Sequence, residues 1–324
     1  MIKIIFFDID GTLRPFETGR VPASTQAALR RAHEAGILCA IATGRHWMEI
    51  RNENLTEGMR FDAFVTMDGE FCYVLDPKKV DAAIVHGEHL RHEEPYRFDV
   101  KNSPEPMAYF DPRNGRVVQR IEIPRSAVEK VLALCEEQPF ACLFEEERAI
   151  YANMVTPELL SVLKHINSAQ PPVRPVQEAL ENPIYMMIPI MTLDEADVME
   201  ARVPECELVR WSDGMSFDLT KKGISKVSGI DALLADYGFS LEEAAAIGDG
   251  WNDVGMIEHC GLGIAMGNAK KECKDVADYI CPSILEDGIA DEIDYILNKN
   301  AQKLKTVQGD GPALFLFTVL RSRT

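Results

Sequence analysis

Two acidic stretches carry the densest chemistry in this chain. Asp8-Ile9-Asp10-Gly11-Thr12 and Gly248-Asp249-Gly250-Trp251-Asn252-Asp253 set carboxylates beside glycines, a combination that lets a tight turn aim several oxygens at one point. Asp8 and Asp10, two residues apart, both emerge at the end of the first apolar run. A nucleophile and a separate proton-transfer group need that arrangement, because one carboxylate cannot attack phosphorus and protonate the leaving oxygen at once. A calcium-binding EF-hand loop is excluded, since Gly11 follows Asp10 directly and the twelfth position is Gly19 instead of glutamate. In the second stretch, hard oxygen ligands with room for water suit Mg²⁺. A plain helix start capped by Asp249 or Asn252 is the alternative. Thr43-Gly44-Arg45 offers a hydroxyl and backbone N–H groups that can hold phosphate oxygens at a helix start, although Thr-Gly is also a common turn. Lys226, just after Gly223-Ile224-Ser225, would taken singly be a solvated surface charge.

These residues share a position relative to the elements that must hold them. Ile2–Phe7 is an apolar run of strand length, an alanine-rich helix is expected from about Thr25 to Ala35 with Gly36 as its stop, and Ile37–Ala42 and Ala63–Met67 read as further strands. This strand-helix alternation predicts an α/β protein with a parallel sheet flanked by helices. The order resumes near the other end, with a helix at Ser225–Tyr237, strands at Ala244–Ile247, Leu262–Ala265 and Tyr279–Cys281, and a helix at Ile289–Leu297. Between the two ends, Asn114-Gly115 and Asp213-Gly214 are hairpin signals, the first joining Met107–Phe110 to Val117–Ile123 and the second Leu208–Trp211 to Met215–Leu219. The economical division is a discontinuous core of residues 1–70 and 216–298, an inserted α+β cap at 71–215, and an extension at 299–324. Both acidic stretches and Thr43 then fall at the carboxyl ends of strands of one sheet, where open α/β sheets bind ligands.

Composition narrows the partners. The chain has 324 residues, a globular balance of 46% hydrophobic and 27% charged residues, and a formal charge of −18. That charge repels polyanions and argues against nucleic acid. Eight scattered cysteines without a C-x-x-C pair read as reduced packing residues. The apolar start is a buried strand that runs straight into Asp8, not a signal sequence. A cytoplasmic protein with no membrane association is expected, as a monomer or weak homodimer.

Taken together and in this order, Asp8/Asp10, Thr43, Lys226 and Asp249/Asn252/Asp253 resemble the haloacid dehalogenase superfamily, and specifically its Cof-type phosphatases of subfamily IIB. The four motifs span the chain in family order, the insert lies where that subgroup carries its α/β cap, and Asn268-Ala269 matches the stretch after the fourth motif. The resemblance implies a HAD-like Rossmannoid core and the following roles. Asp8 attacks phosphorus and becomes an aspartyl-phosphate. Asp10 protonates the departing oxygen, then deprotonates the hydrolytic water. Asp8 and Asp249 side chains and the Asp10 carbonyl bind Mg²⁺, with Asp253 organising its water shell or Lys226. The Ile9 and Gly44 N–H groups, Thr43, Lys226 and Asn252 hold phosphoryl oxygens. The implied substrate is a small phosphorylated metabolite, with sugar phosphates foremost.

Several features depart from that pattern or compete with it. Asp68-Gly69 stands where the family commonly has Asn-Gly, adding a carboxylate near the cleft. The stretch 76–106 is longer than the usual connection and contains His86, His89 and His92 at a spacing that also suits a metal site, while an exposed polar loop is the plainer reading. The apolar run Leu314–Leu320 is too short to span a membrane. Met186, Met187 and Met191 read as strand core. Trp47, Trp211 and Trp251 read as packing or cleft-wall residues, with Trp251 inside the metal loop. Phosphomutase activity or a non-catalytic sugar-phosphate sensor are the competing functions.

Overall fold

The computed structural model describes residues 1–57, 59–79, 111–211 and 213–308. Its centre is β1 (Ile4–Phe7), four apolar residues buried on both faces, as a strand covered by helices on each side must be. Parallel to it lie β2 (Leu38–Ala42) and, on the other flank, β11 (Ala244–Gly248). β3 (Ala63–Thr66), β12 (Leu262–Ala265) and β13 (Tyr279–Ile280) extend the parallel part outwards. β4 (Phe71–Leu75) and β5 (Gly115–Arg120) complete an eight-stranded sheet as antiparallel additions, in the order β13-β12-β11-β1-β2-β3-β4-β5.

A second, five-stranded antiparallel sheet has the order β7-β6-β8-β10-β9. It comprises β6 (Cys142–Glu146), β7 (Ala149–Ala152), β8 (Ile184–Pro189), β9 (Cys206–Arg210) and β10 (Phe217–Lys221). Alternation along its strands divides its two faces. Phe144, Met187 and Leu219 share an apolar cluster with the helices Arg125–Glu137 and Leu193–Arg202, whereas Leu143, Met186 and Ile188 join the core cluster of the first sheet. The second sheet therefore roofs the first, and no separate core lies between them.

The expected boundaries near 70 and 215 do not follow sheet membership. β4 and β5 pair within the eight-stranded sheet, and β10 pairs within the five-stranded one. Phe71–Leu75 is an apolar run not expected as a strand, and the strand expectations at Val117–Ile123 and Met215–Leu219 are silent on their partners. The partner of β5 is β4, and Met107–Phe110, expected to form its hairpin, lies outside the described residues, as do His86, His89, His92 and Leu314–Leu320. The Asp213-Gly214 turn does join β9 to β10, with Gly214 at φ +80° and Asp213 accepting from the Met215 and Ser216 N–H groups. The last helix, Gly288–Gln308, runs beyond the expected end at Leu297 and into the supposed extension. All eight cysteines are buried and unpaired. Among the described residues no helix is long and apolar enough to cross a membrane.

Candidate active site

The carboxyl ends of β1, β2 and β11 open into one pocket under the second sheet, lined by Asp8, Asp10, Thr43, Gly44, Asp249 and Asn252 among others. Lys226, at the start of the helix Lys226–Tyr237 that follows β10, has no solvent exposure. Its Nζ donates to Asp8 Oδ1 at 2.8 Å and to Asp253 Oδ1 at 2.6 Å. Burial opposes its charge, but Asp253 and Asp8 outweigh that and raise its pKa, so it stays an ammonium. The surface reading of this lysine is thus overturned: two carboxylates supply what water would.

The β11 turn is built around Asp253. Its Oδ2 accepts the Asp249 and Gly250 N–H groups, both at 2.8 Å. A side chain at Gly248 would place its Cβ 2.5 Å from the Asp253 carboxylate carbon, so the strand must end in glycine for the loop to fold back. Asp249 accepts the Thr12 hydroxyl at 2.7 Å through Oδ1, and its other oxygen lies where a Cβ on Gly11, at φ +88°, would collide. Asp8, Asp249 and Asp253 each offer a carboxylate oxygen within 4.8 Å of the others. Burial first, then Asp253, raises the Asp8 pKa against the pull of Lys226; the same two causes push Asp249 up to about 7. Converging all-oxygen donors whose mutual repulsion one lysine does not cancel are the donor set of a hard cation such as Mg²⁺.

On the β2 side, Thr43 is buried and its Oγ1 accepts the Arg45 N–H at 3.1 Å. The Asn252 amide donates to Asp68 Oδ1 at 3.2 Å, which ties the β11 loop to the turn after β3. Asp68 holds φ 48° there, a conformation that asparagine and aspartate tolerate better than most residues. Ile9 is buried directly between the two catalytic candidates, and its carbonyl accepts from Thr12, Leu13 and Arg14 N–H groups, closing the turn that presents Asp10. Every candidate from the four motifs therefore converges on this end of the sheet.

Sequence reasoning left Arg45, Asp218, Glu145 and His46 without a role and read Trp47, Trp211 and Trp251 as packing or cleft-wall residues. Arg45 binds Asp10 at 2.7 Å. Asp218 on β10 lines the pocket from the roof, and Glu145 on β6 is buried nearby. His46 Nε2 meets the Glu146 carbonyl at 2.8 Å, and Trp47 Nε1 donates to the Glu147 carbonyl at 2.8 Å, docking the β6–β7 turn onto the loop after β2. Burial drives the His46 pKa down to about 3, so the ring is neutral and Nε2 is the donor while Nδ1 accepts the Met48 N–H. Trp211 and Trp251 line the pocket, and Arg210 from the roof and Lys270 from the floor both lie against the Trp251 ring. Adjacency of Arg45 to Thr43-Gly44 was one available signal, whereas His46 and Trp47 meet partners a hundred residues away.

A family model for haloacid dehalogenase-like hydrolases matches residues 5–93 and 108–293. The chain belongs to this family, in its Cof-type branch. It is similar to the putative phosphatase YkrA of Bacillus subtilis, 27% identical over 89% of this chain and 95% of that protein. The pyridoxal phosphate phosphatase YbhA of Escherichia coli is also 27% identical, over 89% of this chain and 96% of its own length. A solved structure described as the HAD subclass IIB sugar phosphatase BT4131 superposes with a TM-score of 0.71 at 32% identity, covering 91% of this chain and 98% of that one. The chain is accordingly a phosphoric monoester hydrolase, with the α/β fold expected from its motif order.

Proposed function

We propose that this hydrolase removes phosphate from small phosphorylated metabolites, sugar phosphates foremost, through an aspartyl-phosphate on Asp8 and with Mg²⁺ as cofactor. The observation that carries this reading is the buried Asp8–Lys226–Asp253 network beside Asp249. It positions one carboxylate as a nucleophile and surrounds the phosphoryl site with charge of both signs. When bound, Mg²⁺ would be held by Asp8, Asp249 and the Asp10 carbonyl, and would neutralise phosphate charge that two bare aspartates repel. Asp253 has both oxygens engaged by Lys226 and the Asp249 and Gly250 N–H groups, which favours a role in shaping the site over direct ligation. Thr43, the Gly44 and Ile9 N–H groups, Lys226 and Asn252 would bind the equatorial phosphoryl oxygens, where positioning and charge neutralisation do most of the catalysis. The division we favour is a core that performs the chemistry and a cap, built on the five-stranded sheet, that selects the leaving group and excludes water.

Two substitutions test this. Asp8→Asn should lower Mg²⁺-dependent hydrolysis by at least about a thousandfold, since the carboxylate makes the covalent bond, while circular dichroism and thermal melting show a folded chain. Comparable turnover in the folded variant would remove Asp8 from the mechanism. Asp249→Ala should chiefly raise the Mg²⁺ concentration for half-maximal activity, and an unchanged metal titration would exclude it as a ligand. A phosphomutase would be recognised by a bisphosphate product in place of inorganic phosphate.

A further inference from the structure

Arg45 is 6% exposed in its side chain, and all five of its guanidinium N–H donors are used. Nε donates to Asp10 Oδ2 at 2.7 Å and one Nη2 hydrogen to Asp10 Oδ1 at 3.3 Å. One Nη1 hydrogen goes to Glu49 Oε1 at 3.0 Å, on the helix Trp47–Asn52. The remaining two leave the core altogether: Nη1 donates to Ser168 Oγ at 3.1 Å and Nη2 to the Ile166 carbonyl at 2.9 Å. Ile166 and Ser168 lie in the loop after the helix Pro157–His165, between cap strands β7 and β8. That loop is seated by its own contacts as well. Ser168 and the Ala169 N–H donate to Glu53, Asn167 donates to the Phe16 carbonyl at 3.2 Å, and His165 stacks on Phe16 with ring centroids 5.0 Å apart.

We propose that Arg45 is a positioning residue that makes the orientation of Asp10 depend on the loop 166–169 being seated against the core. A guanidinium is a rigid planar fork, so its bonds to the loop and to Asp10 share one orientation. Unseating the loop strips two acceptors from a buried cation and leaves two donors unsatisfied until water reaches them. The fork then turns toward water and releases Asp10. Proton transfer is thereby tied to the closed pocket, where Asp10 cannot be quenched by bulk solvent. The inference rests on the acid/base reading of Asp10. In the first step an Asp8 oxygen bonds to phosphorus, the bond from phosphorus to the leaving oxygen breaks with its electron pair, and that oxygen takes the Asp10 proton. In the second, Asp10 takes a proton from water, whose oxygen bonds to phosphorus as the Asp8–phosphorus bond breaks.

The test separates leaving groups that need the proton from those that do not. Rapid-quench single turnovers would follow phosphorylation of the wild type, Arg45→Lys and Ser168→Ala by a primary alkyl phosphate and by p-nitrophenyl phosphate, whose phenolate departs unprotonated. With Arg45→Lys the alkyl phosphate step should fall about a hundredfold, within the range that general acid catalysis contributes, while the p-nitrophenolate burst changes less than about threefold. Ser168→Ala should shift the same ratio in the same direction by about tenfold or less. Equal slowing of both donors in Arg45→Lys would overturn the positioning role, and an unchanged ratio in Ser168→Ala would overturn the dependence on the loop. If the wild type forms no phosphoenzyme from either donor while releasing phosphate, the Asp8/Asp10 reading itself is wrong and the inference falls with it.

Discussion

The floor and the roof of the pocket handle the same problem, buried carboxylates, in opposite ways. On the floor each acid has a donor within the protein: Lys226 serves Asp8 and Asp253, backbone N–H groups serve Asp253, and Thr12 serves Asp249. On the roof and at its seam with the core, Asp218 Oδ1, Glu145 Oε2 and Asp68 Oδ2 are buried without a hydrogen-bond partner among the described residues. Burial raises the pKa of Asp218, with Asp68 adding to it, and burial with Glu49 and Asp218 does the same for Glu145. On the reading proposed above, the floor is preorganised for one fixed charge distribution, that of a transferring phosphoryl group. The roof has unspent acceptor capacity, which on that reading would let it discriminate hydroxyl-bearing leaving groups.

The largest expected effect comes from breaking the floor. Lys226→Met leaves Asp8 and Asp253 facing each other without their cation, and stripping one partner from a buried ion pair costs roughly 3–5 kcal/mol. Chemical denaturation in the presence of a chelator should show that loss, and turnover should fall with it. Wild-type stability in the chelated variant would mean the network is not the organising feature claimed for it.

A smaller effect is expected on the roof. Asp218→Asn and Glu145→Gln keep the shape and replace a carboxyl already biased toward its neutral form, so thermal stability should hold or rise slightly. Relative kcat/KM among hydroxylated phosphate esters should move about three- to tenfold, the scale of one hydrogen bond of roughly 1 kcal/mol. Hydrolysis of p-nitrophenyl phosphate should stay near wild type. Unchanged ratios across a substrate panel would make these acids structural only.

The smallest effect on turnover is expected at an orphan carboxyl in the last helix, which sharpens the comparison. Glu292, in the last helix, is buried with neither Oε partnered among the described residues, and burial pushes it up to about 7. The folded state holds this proton more tightly than the unfolded chain, whose glutamate ionises near about 4.3. Stability from this group is therefore complete below that value and is lost as the pH rises toward about 7. Glu292→Gln should be more stable than wild type at pH about 8, by roughly 1–2 kcal/mol, with the gap closing near pH about 5. Parallel stability-pH curves for the two proteins would show that the carboxyl finds a partner in solution.

Much of the floor was legible in the chain because its pieces are local. Asp8, Thr43 and Asp249 each follow an apolar run of strand length, and a glycine within three residues of each marks the turn. The division into sheets was less so. Phe71–Leu75 is a continuous apolar run and Phe217–Lys221 alternates, yet which sheet each joins depends on pairing with β3 and with β8 and β9. The same limit hid Arg45. Its position after Thr43-Gly44 was plain, but its acceptors at Ile166 and Ser168 are more than a hundred residues away.

By itself the sequence determined the family, the broad order of strands and helices, and which residues have the types and spacing that the proposed chemistry needs. Those properties reside in residue type, spacing and periodicity, which are local. Only the tertiary structure decided that Lys226 is a buried cation, that Asp218 and Glu145 form an acidic roof, and that one guanidinium joins Asp10 to the cap. The reason is that burial and charge pairing are set by what lies across a gap of a few ångströms, and in this fold the groups facing one another there come from segments far apart in the chain.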